Sequence, residues 1–202
     1  MKKKLYFANP YGFSKQTKKL LYEFIKVFND LNVEVYEPFE RTKHIIEKEW
    51  KTGGDKIIDF YDLLNLTKEY TLKGSRIFIG SDSFISRKKI CFSTAICLFG
   101  SGGPTRYFFF KDYTPRKQYI NLVSRISEEA RRSVEIAQIL IEEYSFKPKD
   151  IELHLDVSPS HAKNGTSKLS DMLTGYVQGY GVMCKVKPNA WASQTVADKH
   201  SK

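Results

Sequence analysis

From residue 76 onward, short apolar runs alternate with polar loops and with stripes of apolar residues at helical spacing. The run Ile77-Phe78-Ile79 has the length and composition of a strand that is buried on both faces. It leads through two small residues to Asp82, which would be costly to bury as an ion unless it had a partner. The pattern predicts strands over 77–82, 90–99, 106–111, 151–157 and 182–186, and helices over 117–144, 167–180 and 190–199.

These elements follow one another in the order βββαβαβα, in which three strands joined by short loops precede alternating helices and strands. That order predicts an α/β fold with one mixed five-stranded sheet and helices on both faces. The first and fourth strands would then be parallel neighbours whose carboxyl ends lie at the same edge. Ligand sites in open α/β sheets favour the crevice outside such carboxyl ends.

The first 41 residues have a different pattern, which predicts a β-α-β segment with strands over 4–8 and 33–36. The segment resembles the beginning of the nucleoside 2-deoxyribosyltransferases in Leu5-Tyr6-Phe7-Ala8, Asn9-Pro10-Tyr11-Gly12-Phe13-Ser14 and Val33-Glu34-Val35-Tyr36-Glu37-Pro38-Phe39. The resemblance implies that Tyr6 sits beside a catalytic carboxylate. The segment is interpreted either as a structural appendage or as a nucleoside-handling unit. Residues 42–75 are predicted to be a connector, with a short helix over 44–51 and a packing helix, before a domain over 76–202.

The charge of the chain indicates the class of partner, and its cysteine content indicates the compartment. Lys and Arg number 33 against 23 Asp and Glu, so the formal net charge is +10. This excess favours a polyanionic partner, nucleic acid first and an acidic membrane surface second. No apolar run approaches the length of a membrane span, so no transmembrane segment is expected, and the expected partner is nucleic acid and not a membrane. The 3 cysteines are widely spaced and odd in number, which favours free thiols and a cytoplasmic location.

Four acids are candidates for one metal site. Asp82 and Asp156 end the two strands that are predicted to be parallel neighbours, and their repulsion would be relieved by a divalent cation such as Mg²⁺ or Mn²⁺. Glu129 lies on the flank of the apolar stripe of the long helix, and Asp198 lies in the last helix. Ordinary alternatives stay open for each, because strand-end aspartates cap turns and helix glutamates are usually solvated. His154, on the same side as Asp156, is interpreted as a hydrogen-bonded interior histidine.

Residues 76–202 resemble the RNase H-like superfamily and, within it, the YkuK family of predicted nucleases. The residues that carry the resemblance are Ile79-Gly80-Ser81-Asp82-Ser83, His154-Leu155-Asp156-Val157, Lys185-Val186-Lys187-Pro188-Asn189-Ala190-Trp191-Ala192-Ser193 and Val196-Ala197-Asp198-Lys199-His200-Ser201-Lys202. The resemblance implies a nuclease that cleaves phosphodiester bonds in RNA, an RNA–DNA hybrid or DNA with two metal ions. The metal ligands and catalytic residues would be Asp82, Glu129, Asp156 and Asp198. His200 would either shuttle a proton or be a loose terminal histidine.

Basic residues near these acids are candidates for holding phosphates, which gives affinity without sequence readout. They are Arg87, Lys88, Lys168, Lys187 and Lys199. Any one of them is also compatible with an ordinary solvated surface charge. The same fold could bind nucleic acid without cutting it, since one fold hosts many functions. The hypotheses are therefore a metal-dependent nuclease, a non-catalytic nucleic-acid-binding module, and a deoxyribosyltransferase-related protein acting through residues 1–41.

Overall fold

The computed structural model describes residues 3–6, 23, 26–28, 30–31, 33–36, 38–119, 121–159, 162 and 166–202. The chain divides into two compact units, Met1–Glu47 and Lys48–Lys202. The predicted division at residues 41 and 75 stays a prediction.

In the first unit, β1 (Lys3–Tyr6) pairs in parallel with β2 (Val33–Tyr36). This parallel pair agrees with the predicted β-α-β arrangement, although most of the helix predicted between the strands lies outside the described residues. Helix α1 (Pro38–Ile46) follows β2. The short helix expected over 44–51 was therefore misplaced, because the observed helix begins earlier and ends at residue 46.

The second unit is an α/β fold built on one mixed sheet of six strands, in the order β3-β6-β5-β4-β7-β8. This confirms the predicted fold class. The sheet has one strand more than expected, because β3 adds two residues to the edge of β6. The elements are β3 (Lys51–Thr52), α2 (Phe60–Leu72), β4 (Ser75–Ile85), β5 (Lys89–Gly100), β6 (Arg106–Pro115), α3 (Leu122–Gln138), β7 (Ile151–His154), α4 (Ser167–Gln178), β8 (Met183–Lys185) and α5 (Asp198–Ser201).

Strands β4 and β5 form a long antiparallel hairpin, paired from Ser75↔Gly100 to Ile85↔Ile90. The loop predicted over 83–89 is shorter than expected, because Phe84 and Ile85 continue the alternation of the strand and keep pairing with β5. Only residues 86–88 form the turn, and the Ser86 N–H donates to the Lys89 carbonyl at 2.9 Å. The hairpin therefore extends past Asp82 instead of ending there.

Helix α3 covers one face of the sheet. It begins at residue 122 rather than 117, because the Asn121 side chain accepts a hydrogen bond from the Ser124 N–H and caps the helix. Residues 116–118 form a separate 3₁₀ turn, and a π-helical turn, Ile139–Glu143, continues the helix. Val123 is apolar but 48% exposed. The buried residues are Ile126, Glu129, Ala130, Ser133, Val134, Ile136 and Ala137.

The opposite face of the sheet is covered by the C-terminal helical segment, which consists of a π-helical turn, Ala192–Ala197, and α5. Its backbone packs directly on β4 at Gly80, where an added Cβ would lie 2.5 Å from the Ser193 nitrogen and 2.8 Å from the Ala192 carbonyl carbon. Only glycine fits this contact. The apolar residues of this layer are Phe78, Ala95, Cys97, Phe109, Ala192 and Ala197.

All three cysteines are free, with Cys91 and Cys97 buried and Cys184 half-buried. Within the described ranges, none of the helices is both long enough and apolar enough to span a bilayer.

Candidate functional site

The parallel pairing of β4 with β7 places two of the predicted acids at one rim of the sheet. The last pair in this register is Gly80↔His154. Asp82 and Asp156 each follow two residues later, so they lie side by side, Asp82 within β4 and Asp156 just beyond the end of β7. We call the region around these two carboxylates, together with Glu129 and Asp198, the acidic rim.

Asp82 is held in place because its side chain is buried under the C-terminal helical segment. It is 8% exposed, and its Oδ2 accepts a hydrogen bond from the Ser201 hydroxyl at 2.8 Å. Burial raises the pKa of Asp82, the Ser201 hydrogen bond opposes this rise, and repulsion from Asp156 and Asp198 adds to it. Asp82 is thus a carboxylate that interacts with two other acids of the rim.

Glu129 reaches the rim from the other face of the sheet. Its side chain is 6% exposed, and its Oε1 accepts a hydrogen bond from the Ser83 hydroxyl at 2.6 Å. Arg125 donates to the Ser83 carbonyl and hydroxyl oxygens at 2.9 Å each and lies 4.0 Å from the same Glu129 oxygen. Burial raises the pKa of Glu129 to about 8, with repulsion from Asp82 and Asp156 contributing. In the absence of a cation, Glu129 is therefore largely protonated at neutral pH.

Asp156 and Asp198 are less buried, and each faces a lysine. Oδ1 of Asp156 lies 2.9 Å from Nζ of Lys187, yet this buried oxygen accepts no hydrogen bond of normal geometry from the described residues. Oδ2 of Asp198 lies 2.8 Å from Nζ of Lys202. Both carboxylates are thus neutralised by lysines, and Asp156 keeps one oxygen with unused capacity to accept.

The four acids share one region without forming a coordination shell. The negative charges of Asp156 and Asp198 raise the pKa of Asp82, and those of Asp82 and Asp156 raise the pKa of Glu129. Among the described residues, however, no three Asp, Glu, His or Cys side chains are close enough together to hold a metal ion. The donor set nevertheless fits a hard divalent cation, because it consists of carboxylate oxygens, one of which is buried without a hydrogen bond.

A small cavity of about 10 Å³ lies between the acidic rim and α3, large enough for a single water molecule. Its polar lining consists of Ser81, Glu129, Ser133, His154 and Asp156. The Ser81 hydroxyl also accepts a hydrogen bond from the Ser133 hydroxyl at 3.0 Å and shares one with the Thr94 hydroxyl at 2.9 Å. The hydroxyl groups of Ser81, Thr94 and Ser133 therefore form a hydrogen-bonded cluster next to Glu129 and Asp156.

His154 anchors the C-terminal helical segment. Its Nδ1 accepts a hydrogen bond from the Ala192 N–H at 2.9 Å, so Nε2 carries the proton and donates to Oε1 of Glu152 at 3.1 Å. Burial lowers the pKa of His154. It is the interior, hydrogen-bonded histidine expected from the sequence, and it holds the segment that carries Asp198 and Ser201.

His200 is neither loose nor in contact with the four acids in the described part of the chain. Its ring stacks on Phe109 with a centroid distance of 3.5 Å and an angle of 13°. Its Nε2 lies 3.3 Å from the Tyr107 hydroxyl oxygen. Burial is the main cause that lowers the pKa of His200, and the positive charge of Lys199 lowers it further. These contacts give His200 a packing role against β6.

The predicted phosphate-binding residues fall in different places. Lys187 lies at the acidic rim, paired with Asp156, whereas Lys199 follows Asp198 in the chain and its Nζ lies 3.5 Å from the Tyr107 hydroxyl of β6. Arg87 and Lys88 are exposed at the tip of the β4–β5 hairpin, and Lys168 is exposed at the start of α4. The structure therefore does not bring all five together.

Sequence reasoning missed three residues that hold the acids. Ser83 and Arg125 fix Glu129, and Ser201 fixes Asp82. One signal was available, since Ser201 follows Asp198 by three residues and so shares its side of the helix. The pairing of Ser83 with α3 required the packing of the helix on the sheet.

The comparisons with known proteins agree with this architecture. The ribonuclease H-like family matches residues 60–202, which is well over half of the chain. The chain is also 25% identical over 160 residues to the uncharacterized protein YkuK of Bacillus subtilis (strain 168), covering 71% of this chain and 91% of that protein. No solved structure gives a significant match. The chain belongs to the ribonuclease H-like family.

Proposed function

We propose that this protein is a metal-dependent nuclease that hydrolyses phosphodiester bonds in nucleic acid at the acidic rim. The observation that carries the proposal is the burial of Asp82 close to other acids. Repulsion from Asp156 and Asp198 raises the pKa of Asp82, and repulsion from Asp82 and Asp156 raises the pKa of Glu129. Such a cluster is unfavourable without a compensating cation, and the net charge of +10 suits a polyanionic substrate.

In this proposal, Asp82, Glu129, Asp156 and Asp198 hold Mg²⁺ or Mn²⁺ ions, two in number as the family resemblance implies. When bound, such ions supply Lewis acidity toward phosphate oxygens.

The protein's own contribution is to hold the carboxylates in place. Ser201 keeps Asp82 oriented and, by donating to its oxygen, favours the ionised form. The Arg125–Ser83 pair orients Glu129. The hydrogen bond from Ala192 to His154 fixes the segment that bears Asp198. These residues position the site before substrate arrives, which reduces the reorganisation required during reaction.

In this proposal, Lys187 and Lys199 hold substrate phosphates. Lys187 neutralises Asp156 in the structure described here. If Asp156 held a metal cation, Lys187 would no longer be needed to neutralise it and would be free to contact a phosphate of the bound strand. Lys199 is exposed on the same helix as Asp198.

A non-catalytic nucleic-acid-binding module is the second candidate. One observation favours it, namely that in the described residues no three potential ligands converge on a metal position. In that case the acids would be satisfied by Ser83, Ser201 and the two lysines, and nucleic acid would bind without being cut.

Cleavage of labelled oligonucleotides separates the two candidates. Purified protein is incubated with single-stranded RNA, single-stranded DNA, duplex DNA and an RNA–DNA hybrid, in Mg²⁺, Mn²⁺ or EDTA. We expect cleavage that requires the metal and that falls in Asp82→Asn by more than the roughly 10- to 100-fold typical of losing a residue that merely orients a ligand. Asp171→Asn, at an exposed position of α4, is the control and should cleave as the wild type does.

Persistent binding with no cleavage in either metal would favour the non-catalytic module. Equal activity of Asp82→Asn and wild-type protein would refute the assignment of this rim as the active site.

A further inference from the structure

A row of side chains on the sheet lies one step outside Asp82. The register pairs Asp82 with Ser93 and Ser93 with Lys111, so these three residues form one row across β4, β5 and β6. Two residues further along each strand, Phe84 pairs with Cys91 and Cys91 pairs with Tyr113. Because side chains alternate along a strand, both rows are on the same face of the sheet, about 7 Å apart. We call Phe84, Cys91 and Tyr113 the aromatic row.

The two rings of the aromatic row are exposed, although they continue the face that the C-terminal helical segment covers, and Cys91 between them is buried. Phe84 is 45% exposed and Tyr113 is 61% exposed, whereas Phe109, on the inner part of the same face, is 1% exposed. Two neighbouring aromatic rings exposed on a sheet face leave apolar surface in water that a ligand could cover. The two rings are separated by one strand, which places them about 10 Å apart.

Positive charge lies on two sides of the aromatic row, at the hairpin turn and at Lys111. Beyond it, the hairpin turn meets the 3₁₀ turn after β6, where the Arg116 N–H donates to the Lys88 carbonyl at 3.2 Å. This contact brings together five exposed cations, which we call the basic tip: Arg87, Lys88, Lys89, Arg116 and Lys117. On the inner side, Lys111 is exposed in the same row as Asp82. The aromatic row thus lies between the basic tip and the acidic rim.

We propose that the aromatic row is a stacking platform for the bases of single-stranded nucleic acid, whose phosphates contact the basic tip and Lys111 and lead to Asp82. Exposed aromatic rings within a cationic surface bind single strands because every unpaired base has a free π-face and every phosphate carries a charge. In a duplex the base faces are already stacked on one another, so the rings would have little to bind.

Charge favours nucleic acid over a second copy of the chain as the occupant. Two copies of a chain with a net charge of +10 repel each other, whereas the cations of the basic tip and Lys111 attract a polyanionic strand. This inference rests on the proposed nucleic-acid function and names the form of nucleic acid that the site accepts.

Equilibrium binding of the full chain tests the proposal. Fluorescence anisotropy in EDTA, which prevents metal-dependent cleavage, measures Kd for a labelled 12-nucleotide single strand and for a labelled hairpin duplex. We expect Tyr113→Ala and Phe84→Ala each to raise Kd for the single strand by roughly 5- to 150-fold, as measured for base–aromatic stacking elsewhere. Tyr113→Phe, which keeps the ring, should stay within about twofold of wild type. Duplex binding should change by less than about twofold in every variant.

Phe99→Ala is the matched control. Phe99 is also exposed, at 54%, and pairs with Arg76 at the other end of the same hairpin, on the same face of the sheet. It lies about 26 Å from the aromatic row along the strand. Single-strand binding should be unchanged in this variant, which separates stacking from a general loss of exposed aromatic surface.

Three results would overturn the proposal: unchanged single-strand affinity in Tyr113→Ala and Phe84→Ala, equal losses of affinity for single strand and duplex, or a wild-type dimer in light scattering that these two substitutions dissociate.

The outcome of this binding test is independent of cleavage. Ring-dependent single-strand binding by a protein that never cuts would retain the platform and refute the nuclease, whereas cutting without ring dependence would do the reverse.

Discussion

Replacing Glu129 by Gln should make the stability of the protein less sensitive to pH. Glu129 is almost fully buried, and its pKa is raised from the ordinary value of 4.5 to about 8, chiefly by burial and further by Asp82 and Asp156. The folded state therefore binds a proton more tightly than the unfolded state does. Below pH 4.5 both states are protonated and this residue adds no pH dependence. As the pH rises toward 8, the unfolded state ionises first and stability is lost.

The magnitude follows from the difference between the two pKa values. A pKa difference of about 3.5 units corresponds to about 5 kcal/mol of unfolding free energy at 1.36 kcal/mol per unit, which is a ceiling because local relaxation reduces it. Gln is nearly isosteric, can still accept from the Ser83 hydroxyl and does not ionise. Glu129→Gln should therefore match the wild type near pH 4.5 and exceed its stability by several kcal/mol at pH 9.

Urea unfolding in EDTA at a series of pH values between 4.5 and 9 measures this difference directly. Glu135→Gln is the control on the same helix, where the carboxylate is partly exposed and lies 3.2 Å from Arg131. Adding Mg²⁺ at pH 9 should reverse the order, because only the wild type retains all four carboxylates. A stability difference between Glu129→Gln and wild type that does not change with pH would refute this account of Glu129.

Two further substitutions test how the C-terminal helical segment is held. Gly80→Ala should destabilise the protein by about 1–3 kcal/mol in urea unfolding, because the added Cβ would meet the backbone of that segment. Gly175→Ala, a helical glycine with open space around it, should be neutral or slightly stabilising. Ser201→Ala removes the hydrogen bond that lowers the pKa of Asp82, so the acid limb of the pH–rate profile for cleavage should move to higher pH. Ser201→Thr should restore it.

Each of these predictions can fail in a recognisable way. If Gly80→Ala were as stable as wild type, the close packing of the segment on β4 would be wrong. If Ser201→Ala lowered the rate by the same factor at every pH, the hydroxyl would act on folding or substrate binding and not on the ionisation of Asp82.

The sequence carried enough information to predict the layout of the ribonuclease H-like domain. Apolar runs and turn residues fixed the strand order, and the parallel pairing of the first and fourth strands placed Asp82 and Asp156 at the same edge. Helical periodicity placed Glu129 on the flank of the apolar stripe of the long helix. These conclusions depend on periodicity and connectivity, which are properties of the local sequence.

The remaining features depend on contacts between residues that are distant in the chain. Strand β3 has only two residues and exists because β6 offers an edge, so no local pattern indicated it. The hydrogen bond between Ser201 and Asp82 joins positions 119 residues apart. The need for glycine at position 80 became evident only when the backbone of the C-terminal helical segment was seen against it.

The position at which Mn²⁺ binds is the most direct test of the acidic rim. Crystals soaked in Mn²⁺ and measured near the manganese absorption edge should show anomalous density between Asp82 and Asp156, with Glu129 and Asp198 as further ligands. The same density should be absent from Asp82→Asn crystals. Manganese bound elsewhere, or no anomalous density at saturating Mn²⁺, would contradict the proposal that these four acids form a metal site.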